Sequence, residues 1–394
     1  MNVQEYKAPD SVGRVQTAGL AIGGVALVAT IFAAVSSPKD FYLSYLFSFL
    51  LVLGLTLGSL GLLMLQHLTG GHWGIIIRRP LEAASRNIWL VLLMFVPIIF
   101  GMKTLYIAWL DPEKLKAAPL SAYQQTYLTT GGFLGRAFLY FAIWGALVWL
   151  FNSWSREQDQ NPEDRALRRR FKLMAGPGII LYILAMTFAA IDWVMSLSPH
   201  WASTIYGFIF VGAQAITAMS FMIIVVAALS SSTPYSEIIQ KRHLHDLGKL
   251  LFAFNMLWAY FDFSQLLIIW SGNQPEEISF YRTRLYGGWG VVAVIVLLFS
   301  FALPFLVLLS RDVKRSAGLI TKVAIWMIVF RLVDLFWMTR PEFTANAMPN
   351  WRDIVVPIAL IGLWVGFFAF NLKQQPLLPL GDPKLAEAIA HHEH

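Results

Sequence analysis

The 394-residue chain is 57% hydrophobic and 13% charged, well below the roughly 25% charged share of a soluble domain. It has no cysteine, which excludes disulfides, thiolate iron–sulfur ligation and covalent haem attachment. The formal net charge of +7 calls for no nucleic acid or other acidic partner, because Lys and Arg gather in the loops of one predicted membrane side.

Residues 1–16 form a polar segment without a signal-peptide pattern. Apolar runs long enough to cross a bilayer follow at roughly 17–36, 41–66, 87–110, 133–153, 174–196, 201–229, 247–271, 284–310, 316–338 and 353–372. They are long and lack the alternation of a barrel strand, so each must satisfy its backbone as a helix. The predicted fold class is therefore an all-α integral membrane protein with ten transmembrane helices. Most Lys and Arg, including Arg78, Arg79, Arg86 and the group Arg165, Arg168, Arg169, Arg170 and Lys172, fall on one side. The positive-inside rule makes that side, and both termini, cytoplasmic. The basic group reads as a contact for anionic lipid headgroups. Trp109, Trp149, Trp154, Trp193, Trp201 and Trp270 lie near span ends, as interfacial belts do.

Ionisable groups inside spans cost roughly 2.5–3.5 kcal/mol each on insertion scales and mark pathways or packed polar pairs. In chain order they are Lys103, Asp192, Asp262, Arg331 and Asp334, all toward the outer ends of their helices. Pro97 and Gly101 predict a kink with room for water before Lys103. Gln214 adds a polar group at mid-depth of span six. Asn255, Asp262 and Gln265 share one stripe of span seven. Arg331 and Asp334, three apart, predict a structural ion pair. The others are proton-relay or quinol-proximal candidates, or polar groups that lock helices together, with Lys103 placed to neutralise an acid. The outer loop 111–132 is a contact surface for an extracytoplasmic partner. In the cytoplasmic tail, 373–394, a Pro-rich linker after Gln375 leads into one short predicted helix, either docked on a neighbour or mobile.

Two helix ends echo one another. Asp192-Trp193-Val194-Met195-Ser196-Leu197-Ser198-Pro199 closes span five, and Asp334-Leu335-Phe336-Trp337-Met338-Thr339-Arg340-Pro341 closes span nine. Both helices run in the same direction. This predicts two tandem four-helix bundles, spans 2–5 (about 41–196) and 6–9 (about 201–338), with spans 1 and 10 peripheral inside a domain of 17–372. None of the eight histidines is mid-span, which excludes bis-histidine haem. The terminal HHEH is a poor metal site and no metal ligand set is predicted. His200, just past Pro199, is either a proton acceptor near the outer interface or a helix-cap histidine.

The run DWVMSLSPHWASTIYGFIFVGAQ, with ten spans in tandem four-helix units, resembles the polysulfide-reductase-like (NrfD-type) membrane subunits, and among them most the smaller membrane subunit of bacterial alternative complex III. The resemblance implies a multi-pass subunit of the bacterial inner (cytoplasmic) membrane that supports quinol oxidation, proton conduction and assembly. It implies no redox cofactor in this chain. Menaquinol or quinone would act at the level of the complex, with haem c and iron–sulfur clusters in partner subunits. The implied partners are a paralogous ten-helix membrane subunit, a periplasmic iron–sulfur subunit, c-type cytochrome subunits and lipids. Asp192 matches the family's acid near the outer surface. A proton-coupled secondary transporter and a purely structural anchor are the competing readings.

Overall fold

The computed structural model describes residues 6–71, 73–162, 164–382 and 385. The Arg165 side chain, His72, Lys384 and the terminal HHEH lie outside the described residues, as does most of the helix considered for the tail. The described residues contain helices and no strand. In chain order they are α1 Asp10–Ser36, α2 Pro38–Thr69, α3 Trp73–Ser85, α4 Ile88–Phe100, α5 Met102–Leu105, α6 Ile107–Leu110, α7 Pro112–Ala117, α8 Ala122–Tyr127, α9 Thr130–Gln160 and α10 Arg165–Trp193. Then come α11 Tyr206–Leu229, α12 Tyr235–Ile238, α13 Lys241–Gly272, α14 Pro275–Arg284, α15 Gly287–Val296, α16 Leu303–Leu309, α17 Arg311–Arg315, α18 Ala317–Thr339 and α19 Arg352–Leu372. Among the described residues, nine helical stretches are long and apolar enough to cross a membrane. The chain is a multi-pass membrane protein. Helix α18 is long enough, at 23 residues, but Lys322, Arg331 and Asp334 set it apart from those nine.

Helix α2 is apolar on all sides, and such a helix must be buried on all sides. It packs against α4, α10, α11, α18 and α19. Its hydroxyls bond within the helix: Ser48 Oγ donates to Ser44 O at 2.6 Å, Thr56 Oγ1 to Val52 O at 3.0 Å and Ser59 Oγ to Leu55 O at 2.7 Å. They therefore add no unpaired donor to the core. Helices α4 and α10 pack on α9, while α13 and α18 pack on α11. The crossing of α2 with α11 joins the two groups. Gly58 permits that crossing, since a Cβ there would lie 2.1 Å from Gln214 O.

Helix α1 lies along α19 through interleaved glycines, Gly19 and Gly23 against Gly362 and Gly366. Small residues four apart let two helix backbones touch where lipid gives no hydrophobic drive. A Cβ on Gly23 would sit 2.5 Å from Leu363 N, whereas Gly24 has nothing within 4 Å. We expect Gly23→Leu to destabilise the fold by about 1–3 kcal/mol, the usual cost of overpacking, and Gly24→Leu to leave the melting temperature in detergent unchanged. Equal melts for the two variants would show that this contact carries no stability.

Several expectations are corrected. The third apolar segment starts at Ile88 as α4, but it is preceded by α3, Trp73–Ser85, which buries Arg78, Arg79 and Glu82. It is interrupted after Phe100, but a Cβ on Gly101 would meet the Tyr42 ring at 2.3 Å. The Tyr42 ring packs against that break. Trp109, Trp193 and Trp201 are core residues, Trp154 is half-buried, and only Trp149 and Trp270 of the named six are exposed. As far as Asp382 the tail packs on its own chain. Leu377 and Leu378 are buried, and Leu377 N donates to Tyr6 O at 2.8 Å. Gly381 N reaches Asp159 Oδ1 at 3.2 Å, and Arg78 Nη1 reaches Asp382 Oδ2 at 3.0 Å. Arg168, Arg169, Arg170 and Lys172 remain an exposed basic group.

Candidate functional site

Helix α10 ends at Trp193, where Val194 leaves helical geometry and Met195–Leu197 form a short 3-10 turn. Asp192 sits in the last helical turn and is fully buried. Its partners come from α9. Arg136 Nε donates to Oδ2 at 2.9 Å and Arg136 Nη2 to Oδ1 at 2.8 Å. Tyr140, one helical turn along the same face, donates its hydroxyl to Oδ2 at 2.7 Å. This two-pronged guanidinium–carboxylate pairing is the strong, orienting kind.

Arg136 also reaches outward. Its Nη1 donates to Tyr127 O at 3.1 Å, and its guanidinium carbon lies 3.8 Å from the Tyr127 ring centroid. Asp192 therefore fixes Arg136, and Arg136 fixes Tyr127 at the end of α8. Burial, followed by the Asp192 charge, pushes the Tyr127 phenol up to about 12, so Tyr127 keeps its proton through the physiological range. Gln124, also on α8, donates to Pro199 O at 2.6 Å and clips the loop onto the turn after α10. Ser121 supports α8 with a capping box.

Between these elements is a cavity of about 400 Å³. Its walls are mainly apolar, with Phe188, Ile191 and Met195 among them, and Gln124, Tyr127 and Ser196 are polar groups on its lining. An apolar pocket with a few convergent polar groups is the usual form of a small-molecule site. Asp192 does not line it; it lies in the layer that holds Tyr127. Trp193, next in sequence, packs in an aromatic cluster with Phe95, Phe141 and Trp144.

The remaining candidates separate into groups. His200 is exposed and does not line the cavity. Lys103 is exposed and forms no salt bridge with a described residue, so Arg136, not Lys103, compensates Asp192. Gln214 accepts from Tyr182 Oη at 2.7 Å. Asn255 Nδ2 donates to Phe301 O at 3.4 Å, and Phe301 belongs to the π-helical segment Leu297–Ala302. Gln265 accepts from Ser203 Oγ at 2.7 Å and donates to Tyr281 Oη at 3.0 Å. Asp262, on the same face, is half-buried. Arg331 and Asp334 pair directly on α18. The five in-span charges therefore do not form one cluster. The echo between the two helix ends is one of shape: each closes in a 3-10 turn, Met195–Leu197 and Arg340–Glu342, but only Asp192 draws its cation from another helix.

Arg136, Tyr140 and Tyr127 are the residues that sequence reasoning missed. Arg136 and Tyr140 are four apart near the start of a predicted span, one turn of helix on one face. Arg136 was also the one cation that two adjacent antiparallel spans place level with Asp192. Tyr127 had no such signal. Among the described residues, no three His, Asp or Glu side chains converge as a metal site. The chain matches no known family model and no curated protein.

Proposed function

We propose that the chain is a membrane subunit, without a redox cofactor of its own, of a quinol:electron-acceptor oxidoreductase of the alternative complex III type. It would lie in a bacterial cytoplasmic membrane as ten spans, with both termini inside and the Asp192 end outside. Helix α18 is the tenth span in this reading, tolerated because Arg331 and Asp334 offset one another. The observation that carries the reading is the cavity of about 400 Å³ seated on the Asp192 turn, the same stretch on which the family resemblance rests. Its dimensions and lining suit a ring headgroup, with Tyr127, Gln124 and Ser196 as hydrogen-bonding groups. Asp192 then acts as a positioning residue through Arg136. The loop carrying α7 and α8 is largely exposed, Tyr123 at 79%, and is the proposed docking face for extracytoplasmic subunits bearing iron–sulfur clusters and c-type haems. The anchor reading draws on one specific observation, that Asp192 is fully partnered within the chain.

Purification in mild detergent is expected to bring down haem- and iron-containing partners, whereas isolation as a lone protein would count for a transporter. In the assembled complex, Asp192→Asn removes the charge that holds Arg136. It should lower quinol oxidation roughly tenfold, about the worth of one charge-assisted hydrogen bond, with subunit content unchanged. Unaltered quinol oxidation and proton release in both Asp192→Asn and Asp262→Asn would leave the anchor reading standing.

A further inference from the structure

A second cavity lies away from the Asp192 turn. A crevice of about 540 Å³ is bordered by α13, α14 and α15. Phe263, Leu266 and Val294 are among its apolar walls. Phe263 is 61% and Val294 53% exposed, so the crevice opens on a surface that lipid chains contact in a membrane.

Asp262, Tyr260 and Tyr281 are polar side chains on its lining. Asp262 is one helical turn before Gln265 on α13, and residues so spaced share a face. Gln265 Nε2 donates to Tyr281 Oη at 3.0 Å, while Gln265 Oε1 is taken by Ser203. The Tyr281 oxygen is thus used as an acceptor, and its own proton goes to no described residue. Asp262 makes no hydrogen bond or salt bridge with a described residue, and the nearby cation, Arg331, is matched by Asp334. Trp258 also borders the crevice, and its indole N–H is buried without a partner among the described residues.

An unmet acceptor and an uncommitted donor in one apolar crevice are complementary to a group that both donates and accepts. A carbonyl brings no proton for Asp262, and an ammonium brings no lone pair for Tyr281. A hydroxyl brings both. We propose that this crevice binds a neutral membrane amphiphile through a hydroxyl group that donates to Asp262 and accepts from Tyr281, with its apolar body against Phe263, Leu266 and Val294. The site is separate from the Asp192 cavity and does not depend on its assignment. Ser203 borders that first cavity and bonds Gln265, so the two sites share one hydrogen-bonded connection.

The test uses the purified protein in phosphatidylcholine nanodiscs. One probe pair is 1,2-dioctanoylglycerol, with one free hydroxyl, and its O-methyl ether. The other is octylhydroquinone kept reduced and its dimethyl ether. At least one hydroxyl probe should bind about tenfold more tightly than its ether, as expected when the ether leaves a buried polar group without its hydrogen bond. Tyr281→Phe should weaken that probe about fivefold and Asp262→Leu about tenfold. Ala293→Trp, which fills the crevice and leaves the polar pair intact, should abolish the binding. Preference within the glycerol pair identifies a lipid hydroxyl, and preference within the hydroquinone pair a phenolic one. Equal binding of hydroxyl and ether probes to the wild-type protein overturns the proposal, and this comparison requires no variant to fold. Undiminished binding to Ala293→Trp overturns it too, because the probe would then sit elsewhere, the Asp192 cavity included.

Discussion

Replacing Glu82 with leucine is expected to cost about 3–5 kcal/mol of stability, the range for removing one partner from a buried ion pair. Glu82 is fully buried between two arginines that are themselves almost fully buried. Arg78 Nε donates to its Oε1 at 3.0 Å and Arg79 Nη1 to its Oε2 at 2.7 Å. Ser155 Oγ donates to Oε1 at 2.6 Å. The other carboxylates on these arginines, Asp382 and Asp159, are partly exposed, so solvent weakens their share of the compensation. Without Glu82 two guanidinium charges would stay in the core with too little opposite charge beside them. Glu82→Gln keeps the shape and some hydrogen bonding and should lose less. The tail is tied to Arg78 through Asp382, so Glu82→Leu should also make residues near Leu377 cleavable by protease. A melting curve for Glu82→Leu within 1 kcal/mol of wild type would refute this account of the network.

This network shows where sequence reasoning stopped. Apolar runs of about 20 residues mark helices in lipid because nothing else satisfies the backbone there, and the helix positions were legible for that reason. Charge counting treats Arg78 and Arg79 only as loop markers. It takes no account of Glu82 four residues after Arg78 and three after Arg79, on one helical face, which is the local signal that α3 folds inward. The contribution of Asp382 had no signal at all, since it arrives from about 300 residues away in sequence. Within the candidate site, Asp192 could be singled out because an acid in an oily helix is expensive. Arg136 was visible only as an outer-side charge. The interruptions at Gly101 and Leu297–Ala302 depend on what packs against them, Tyr42 in the first case and the Asn255 side chain in the second, and such contacts are not written in any local pattern.

The second large effect is expected at Arg136. Arg136→Leu leaves the fully buried Asp192 carboxylate with the Tyr140 hydroxyl and without its cation, and should cost about 3–5 kcal/mol. Asp192→Leu alone should cost less, because Arg136 is 22% exposed and its guanidinium can turn toward water. The double variant Arg136→Leu/Asp192→Leu should recover most of the loss, since two apolar side chains of similar volume replace a buried pair at little net cost. The cycle of four proteins, measured by thermal unfolding in detergent, should therefore give a coupling energy of about 3 kcal/mol, the upper end for residues in direct contact. Additive single losses would mean that the pair contributes no mutual stabilisation. The double variant also separates stability from function. It keeps the helices together but no longer holds the Tyr127 ring against a guanidinium, so on the proposed function the complex should assemble and oxidise quinol poorly. Full activity in a stable double variant would make Asp192 and Arg136 a structural clamp and move any chemistry of the cavity to Tyr127, Gln124 and Ser196 alone.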